Sequence, residues 1–444
     1  MRTCLWVMVL GGCASAASDA SLRDQYNAAM SAGQWPDAYV LAGDVACEEA
    51  SLSASREMVQ LWDRLGRPSE PVRRLTKCGS PQWLADYVRA MTAATRGDAG
   101  SALGFFDAAA NALEDNREMR RDYAEIRYRQ GLVLSLDDKS TAAIVALDAA
   151  ADADPARVDI RIARASADLS VSGSAATVET LRGVLALSPS SRDLARAREV
   201  LRRAVRASQP PLSPETELQI SEILSDIEKD RVTPEDATRL RGTLERSPHP
   251  RLRTAVGLVM LKLGRLSEGS HYLAMAATES PLDPEPPRSL GTTLHAAGRI
   301  RAALPYLRDA VERDPFDSMT LTVLAEAAAA ADDVQTAAVA YERLSVLEPL
   351  DPENYLWIAR MERKRGDLPS ARRAVVRGCE LVTRNIPLYL ERASIEAQIA
   401  LSAESPLERE QGSRRTRDAV AELLEIAPGH PGAQPILDSL AALD

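Results

Sequence analysis

Residues 250–383 repeat one pattern every 34 positions, and this period limits what the chain can fold into more than any other feature. A small residue recurs at Gly257, Gly291, Ala325 and Ala359, each preceded by a large apolar one (Val256, Leu290, Leu324, Ile358). A turn residue follows at Gly264, Gly298, Asp332 and Gly366. A second small residue stands at Gly269, Ala303, Ala337 and Ala371, with a bulky one four further on at Leu273, Leu307, Tyr341 and Val375. Proline closes the first three units at Pro281, Pro315 and Pro349, and Thr383 holds that place in the fourth. Each unit contains two stretches with apolar residues three and four apart, the spacing of amphipathic helices. Glycine between them takes the positive φ that a helix end often needs. Small residues let the two axes approach, the bulky residue fills the groove beside them, and proline cannot continue the helix.

This period with small, turn and proline columns resembles the tetratricopeptide repeat family. The resemblance implies an all-α fold, a right-handed α-solenoid of tandem antiparallel helix pairs. It also implies a concave side, lined mainly by first helices, that takes a peptide or protein segment. On the most regular units it places Arg288, Thr292, His295, Glu326, Leu356, Arg360 and Arg363 in that groove. The asparagine set with which one branch of the family holds a chain-terminal carboxylate is missing. The third unit departs at its turn, with Asp332-Asp333 for the usual glycine, and the first has Gly269 where alanine is usual.

The rest of the chain reads as looser versions of the same unit, about nine helix pairs in all. Residues 19–208 form N-terminal repeats. They include a unit with Gly33 and Trp35, one with Trp62 and Gly66, one with Gly97 and Phe106, and a pair in period through Gly131 and Leu147. Residues 209–248 are an irregular helical pair with Ser213-Pro214 and Thr233-Pro234 as helix starts, and Gln209–Ser213 is the candidate hinge or boundary between two lobes. Residues 249–383 are the regular array. Residues 384–444 read as an atypical repeat: a first helix at 387–401, a polar connection at 402–417, a second helix at 419–426 and a closing helix at 434–443.

Residues 1–18 read as an export signal and tether, with Arg2 ahead of a short apolar run. Leu10-Gly11-Gly12-Cys13 resembles a bacterial lipobox, which implies lipidation of Cys13 and a periplasmic protein anchored to the outer membrane. The competing site, Ala14-Ser15-Ala16, gives a soluble periplasmic protein. Cys47 and Cys78 fall near the ends of neighbouring second helices. They form either a disulfide, which an exporting compartment allows, or two buried thiols. Cys379 reads as buried.

A net charge of −10 disfavours a nucleic-acid partner. The four histidines lack zinc-ligand spacing, and no phosphate loop, nucleophile elbow or paired-carboxylate signature occurs. We therefore expect no metal, no cofactor and no catalytic residue. Two basic clusters, Arg198, Arg202 and Arg206 and then Arg409, Arg414, Arg415 and Arg417, read first as solvated surface. Contact with anionic headgroups or an acidic partner is the sharper alternative. The leading function is a non-catalytic interaction scaffold of the cell envelope. The second is a chaperone-like factor that holds extended substrates, and an enzyme with a convergent site is the third. The oligomeric state is not readable.

Overall fold

The computed structural model describes residues 21–67 and 71–441. Among the described residues there are 24 α-helices in tandem, two single-turn 3₁₀ segments and no strand. The chain is an all-α solenoid, with more helices than the nine pairs expected. Cys13 and the rest of the export signal lie outside the described residues.

The helices fall into two compact units, parted between Val171 and Ser172. In the first, the core is built on Met58, Trp62, Leu75 and Phe106, with small residues such as Ala90, Ala102 and Ala109 at the crossings. A Cβ placed on Gly131 would stand 2.6 Å from Leu147 Cγ, so this glycine sets the approach of Arg120–Leu136 to Ser140–Ala153.

The second unit contains the regular array. Its pairs are Pro250–Lys262 with Leu266–Glu279, Glu285–Ala296 with Ile300–Arg313, Ser318–Ala330 with Val334–Leu347, and Pro352–Arg365 with Leu368–Leu381. The columns of the sequence meet as their sizes require: a Cβ on Gly257 or Gly291 would come within 2.7 Å of Leu273 or Leu307, respectively. At the turns, Gly264, Gly298 and Gly366 take φ of 75°, 72° and 82°. Asp332 takes 66° in the same place, a conformation that aspartate tolerates better than most residues. Its neighbour Asp333 caps the next helix, accepting from Thr336 N at 3.2 Å.

Two expectations change. The stretch 402–417 is not a loop: one 21-residue helix, Pro406–Ile426, runs through most of it. Ser405 and Glu408 form a reciprocal capping box and Pro406 takes the first turn, so the helix starts well before its apolar stripe begins. It packs closely on Ile386–Ser402, because a Cβ on Gly412 would lie 2.8 Å from Ala400 Cα. The segment 209–213, the candidate hinge, is held within the second unit. Gln209 Nε2 donates to Asp283 at 2.9 Å, and the His249 ring nitrogen lies 3.0 Å from the Pro210 carbonyl.

Candidate functional site

In the second unit several first helices of successive pairs touch one another. Pro250–Lys262 meets Glu285–Ala296, which meets Ser318–Ala330, and Pro352–Arg365 meets Ile386–Ser402. In helical solenoids stacked neighbours of this kind form a continuous face, which such proteins use for binding. The residues expected to line a groove belong to these helices, and the structure uses them unequally.

Arg288 ties one unit to the next: its Nη1 lies 3.0 Å from Asp317, the N-cap of Ser318–Ala330, and it also pairs with Glu285. The Asp317 carboxyl is held below its ordinary pKa by hydrogen bonds from Thr320 and Arg288, against the opposing effect of burial. Thr292 Oγ1 donates back to the Arg288 carbonyl at 2.9 Å. His295 is half-buried and Glu326 is exposed. Leu356 corrects the sequence reading. It is buried to 3% exposure in a core cluster with Tyr355, Val375, Leu388 and Ile395. The residue one period earlier, Thr322, is exposed. Leu356 differs because Ile386–Ser402 packs over it.

Arg360 and Arg363 are brought together by a residue that sequence reading missed. Arg360 Nε stands 3.6 Å, and Arg363 Nη2 3.2 Å, from the carboxylate of Glu391. Glu391 is buried, and its Oε1 has no hydrogen-bond partner despite the nearby arginine. The Arg360 guanidinium lies 5.1 Å from the centroid of the Trp357 ring, a cation–π contact. Trp357 in turn stacks on Tyr341, with planes at 8° and centroids 5.8 Å apart. Burial, with Glu326 and Glu353 nearby, pushes the Tyr341 phenol up to about 12. Trp357, Arg360, Met361, Arg363, Lys364 and Gln398 line an open cleft of about 590 Å³. The cleft offers guanidinium and ammonium donors and one indole face, with the two guanidiniums held from beneath by Glu391. It suits recognition of polar chain rather than bond cleavage. Glu391 and Gln398 stand 34 positions after Trp357 and Lys364, so carrying the groove positions onto the next first helix would have found both.

The remaining candidates are dispersed. In the first unit Cys47 and Cys78 are joined, with Cα atoms 4.3 Å apart. Cys379 is buried in the second unit, and burial pushes its thiol up to about 11. The two basic clusters are mainly exposed, but some members are engaged within the chain. Arg198 and Arg409 bind backbone carbonyls, and Arg415 joins Arg372 on the buried Glu396, at 3.0 and 2.5 Å. Among the described residues no group of three histidine, cysteine or acidic side chains could hold a metal ion.

A family model described as "Tetratricopeptide repeat" matches residues 289–355. The match lies within the second unit and spans the helices from Glu285–Ala296 to the start of Pro352–Arg365. Solenoids of this kind generally present their inner surface to other proteins. No curated protein matches the chain. Among solved structures, the chain is similar to YrrB, described as a TPR protein with an unusual peptide-binding site, at 11% identity and a TM-score of 0.34, over 45% of this chain and 97% of that one. It is similar to MamA from Desulfovibrio magneticus RS-1 at 15% identity and a TM-score of 0.30, over 41% and 97%. It is similar to the TPR domain of P58(IPK) at 17% identity and a TM-score of 0.25, over 82% and 98%.

Proposed function

We propose that the chain is a non-catalytic interaction protein of the bacterial envelope, which holds a segment of another protein along the inner row of first helices in its second unit. The observation that carries this reading is the cleft where Trp357, Arg360, Arg363 and Gln398 converge. Glu391 pairs with both arginines from beneath and so orients them at the cleft. The Cys13 motif and the joined Cys47 and Cys78 support export to an oxidising compartment. We assign Cys13 as the lipid anchor to the outer membrane, with the repeats in the periplasm.

Charge reversal tests the binding reading. Both arginines are partly exposed but hold the buried Glu391, so Arg360→Glu and Arg363→Glu are made together with Glu391→Gln, and an unchanged far-ultraviolet spectrum and melting curve check that the fold is kept. Recovery of partner proteins after cross-linking in source cells is expected to fall at least about tenfold, the effect of roughly 1.4 kcal/mol. A few stoichiometric partners in the wild-type sample mark a scaffold, whereas many unfolded clients mark a chaperone-like holder. Unchanged recovery counts against the inner row. For location, Cys13→Ser is expected to leave the membrane fraction or to remain unprocessed. A variant cleaved and located like wild type makes the protein a soluble periplasmic binder instead.

A further inference from the structure

The junctions between successive pairs of the array share one chemistry. Pro281-Leu282-Asp283, Pro315-Phe316-Asp317 and Pro349-Leu350-Asp351 lie 34 residues apart. Their burial does not match their likeness. Phe316 is 0% exposed and Leu282 is half-buried, but Leu350 is 71% exposed.

The first two junctions are reached by hydrogen bonds from a segment far away in the chain, the helix Ser191–Ala207 and its exit. Arg198 Nη2 donates to the Phe316 carbonyl at 2.8 Å, and Gln209 Nε2 donates to Asp283 at 2.9 Å. Arg182, on the preceding helix, donates to the Glu312 carbonyl at 3.1 Å. These contacts bridge 74 to 130 positions, in an array whose own helices contact near neighbours. Arg198 and Gln209 are 11 positions apart, about 17 Å along a helix, so the segment runs along the edge of the stack from one junction to the next. Burial beneath it raises the carboxyls of Asp283 and Asp314 above their ordinary range. At the Phe316 junction an amphipathic helix of this chain therefore already places an arginine on a backbone carbonyl.

From the Asp283 junction Ser191–Ala207 runs back past the Phe316 junction, which Arg198 contacts, for about 10 Å to its start, and Leu350 at the third junction stays exposed. There Leu350 stands between Glu348 and Asp351, with the exposed Glu353 beyond. We propose that the Leu350 junction is a docking site for an arginine-bearing amphipathic α-helix of another protein, seated as Ser191–Ala207 is seated on the Phe316 junction. Three facts support that occupant: the site continues an interface already formed, repeats its Pro-apolar-Asp chemistry, and adds acidic side chains that complement an arginine. This surface is separate from the cleft at Arg360 and stands without the reading given for it.

The probe is a labelled peptide of residues 190–209 of this chain, bridged by a lactam between positions 195 and 199 on its exposed side to hold the helix. It is titrated into the full chain, whose own copy of that helix already occupies the other junctions at high effective concentration. We expect saturable one-to-one binding, weakened about tenfold or more by Leu350→Asp and by Arg198→Glu in the peptide. Binding is expected to be unchanged by Arg360→Glu with Arg363→Glu and Glu391→Gln. Leu350 is exposed, so its substitution leaves the far-ultraviolet spectrum intact. No saturable binding, or binding indifferent to Leu350→Asp, overturns the proposal. So does a dimer in sedimentation that Leu350→Asp disperses, because a second copy is then the occupant.

Discussion

Joining Cys47 to Cys78 is expected to account for about 3–4 kcal/mol of the stability of the first unit. The bond closes a loop of 31 residues, and in the chain-entropy account a loop of that length removes this much conformational freedom from the unfolded chain. Cys47→Ala with Cys78→Ala should lower the thermal midpoint of the first unit while the second unit melts as before, since both cysteines lie before Val171. Calorimetry of the full chain, with and without reductant, checks this. Equal midpoints in the variant and the oxidised wild type would show that the cysteines are simply buried thiols. Peptide mapping without reduction gives the same answer chemically, as a linked pair or two alkylated residues.

Gly291→Leu should destabilise the second unit by about 1–3 kcal/mol, through overpacking. A Cβ at this position would already stand 2.7 Å from Leu307 Cγ and 3.1 Å from its backbone nitrogen, and the backbone atom cannot rotate aside. The two helices must then part, which opens the core that Leu290, Leu294 and Leu307 share. Gly242 is the internal control. It is also helical, but a Cβ there meets nothing within 4 Å. Gly242→Ala is therefore expected to stabilise by roughly 0.5–1 kcal/mol, through the lower entropy of the unfolded chain. Opposite signs at the two glycines are what the assigned register requires. A melting curve unchanged by Gly291→Leu would refute it.

The array was legible because each of its columns has one physical cause. Small residues mark crossings, glycine marks a left-handed turn, and proline marks an exit, so the 34-residue period gave both the helices and their facing. Even the exception at Asp332 could be read, since aspartate tolerates the conformation that glycine holds elsewhere. Where two causes compete, the reading went wrong. Residues 402–417 are charged and look like a loop, but Ser405, Pro406 and Glu408 start a helix there, with the same signal that was recognised at Ser213-Pro214. Leu356 was placed by its column, yet its exposure depends on the helix that follows, and Leu388 and Ile395 bury it. Glu391 was missed because 387–401 was read as a first helix of an atypical repeat without carrying the groove positions onto it. The contacts of Ser191–Ala207 with Phe316 and Glu312 have no signal in the period at all, because they join parts of the chain that repeat nothing of each other.

The central claim is that the inner row of the second unit holds a segment of another protein at the Arg360 cleft. Gln398 lines that cleft, so it can carry a photo-crosslinking side chain without disturbing the arginines. Irradiated in source cells, the full chain with this replacement is expected to give a discrete protein adduct. The adduct should disappear when Arg360→Glu and Arg363→Glu are added together with Glu391→Gln. No adduct from position 398, or one that persists through the charge reversal, would contradict the account.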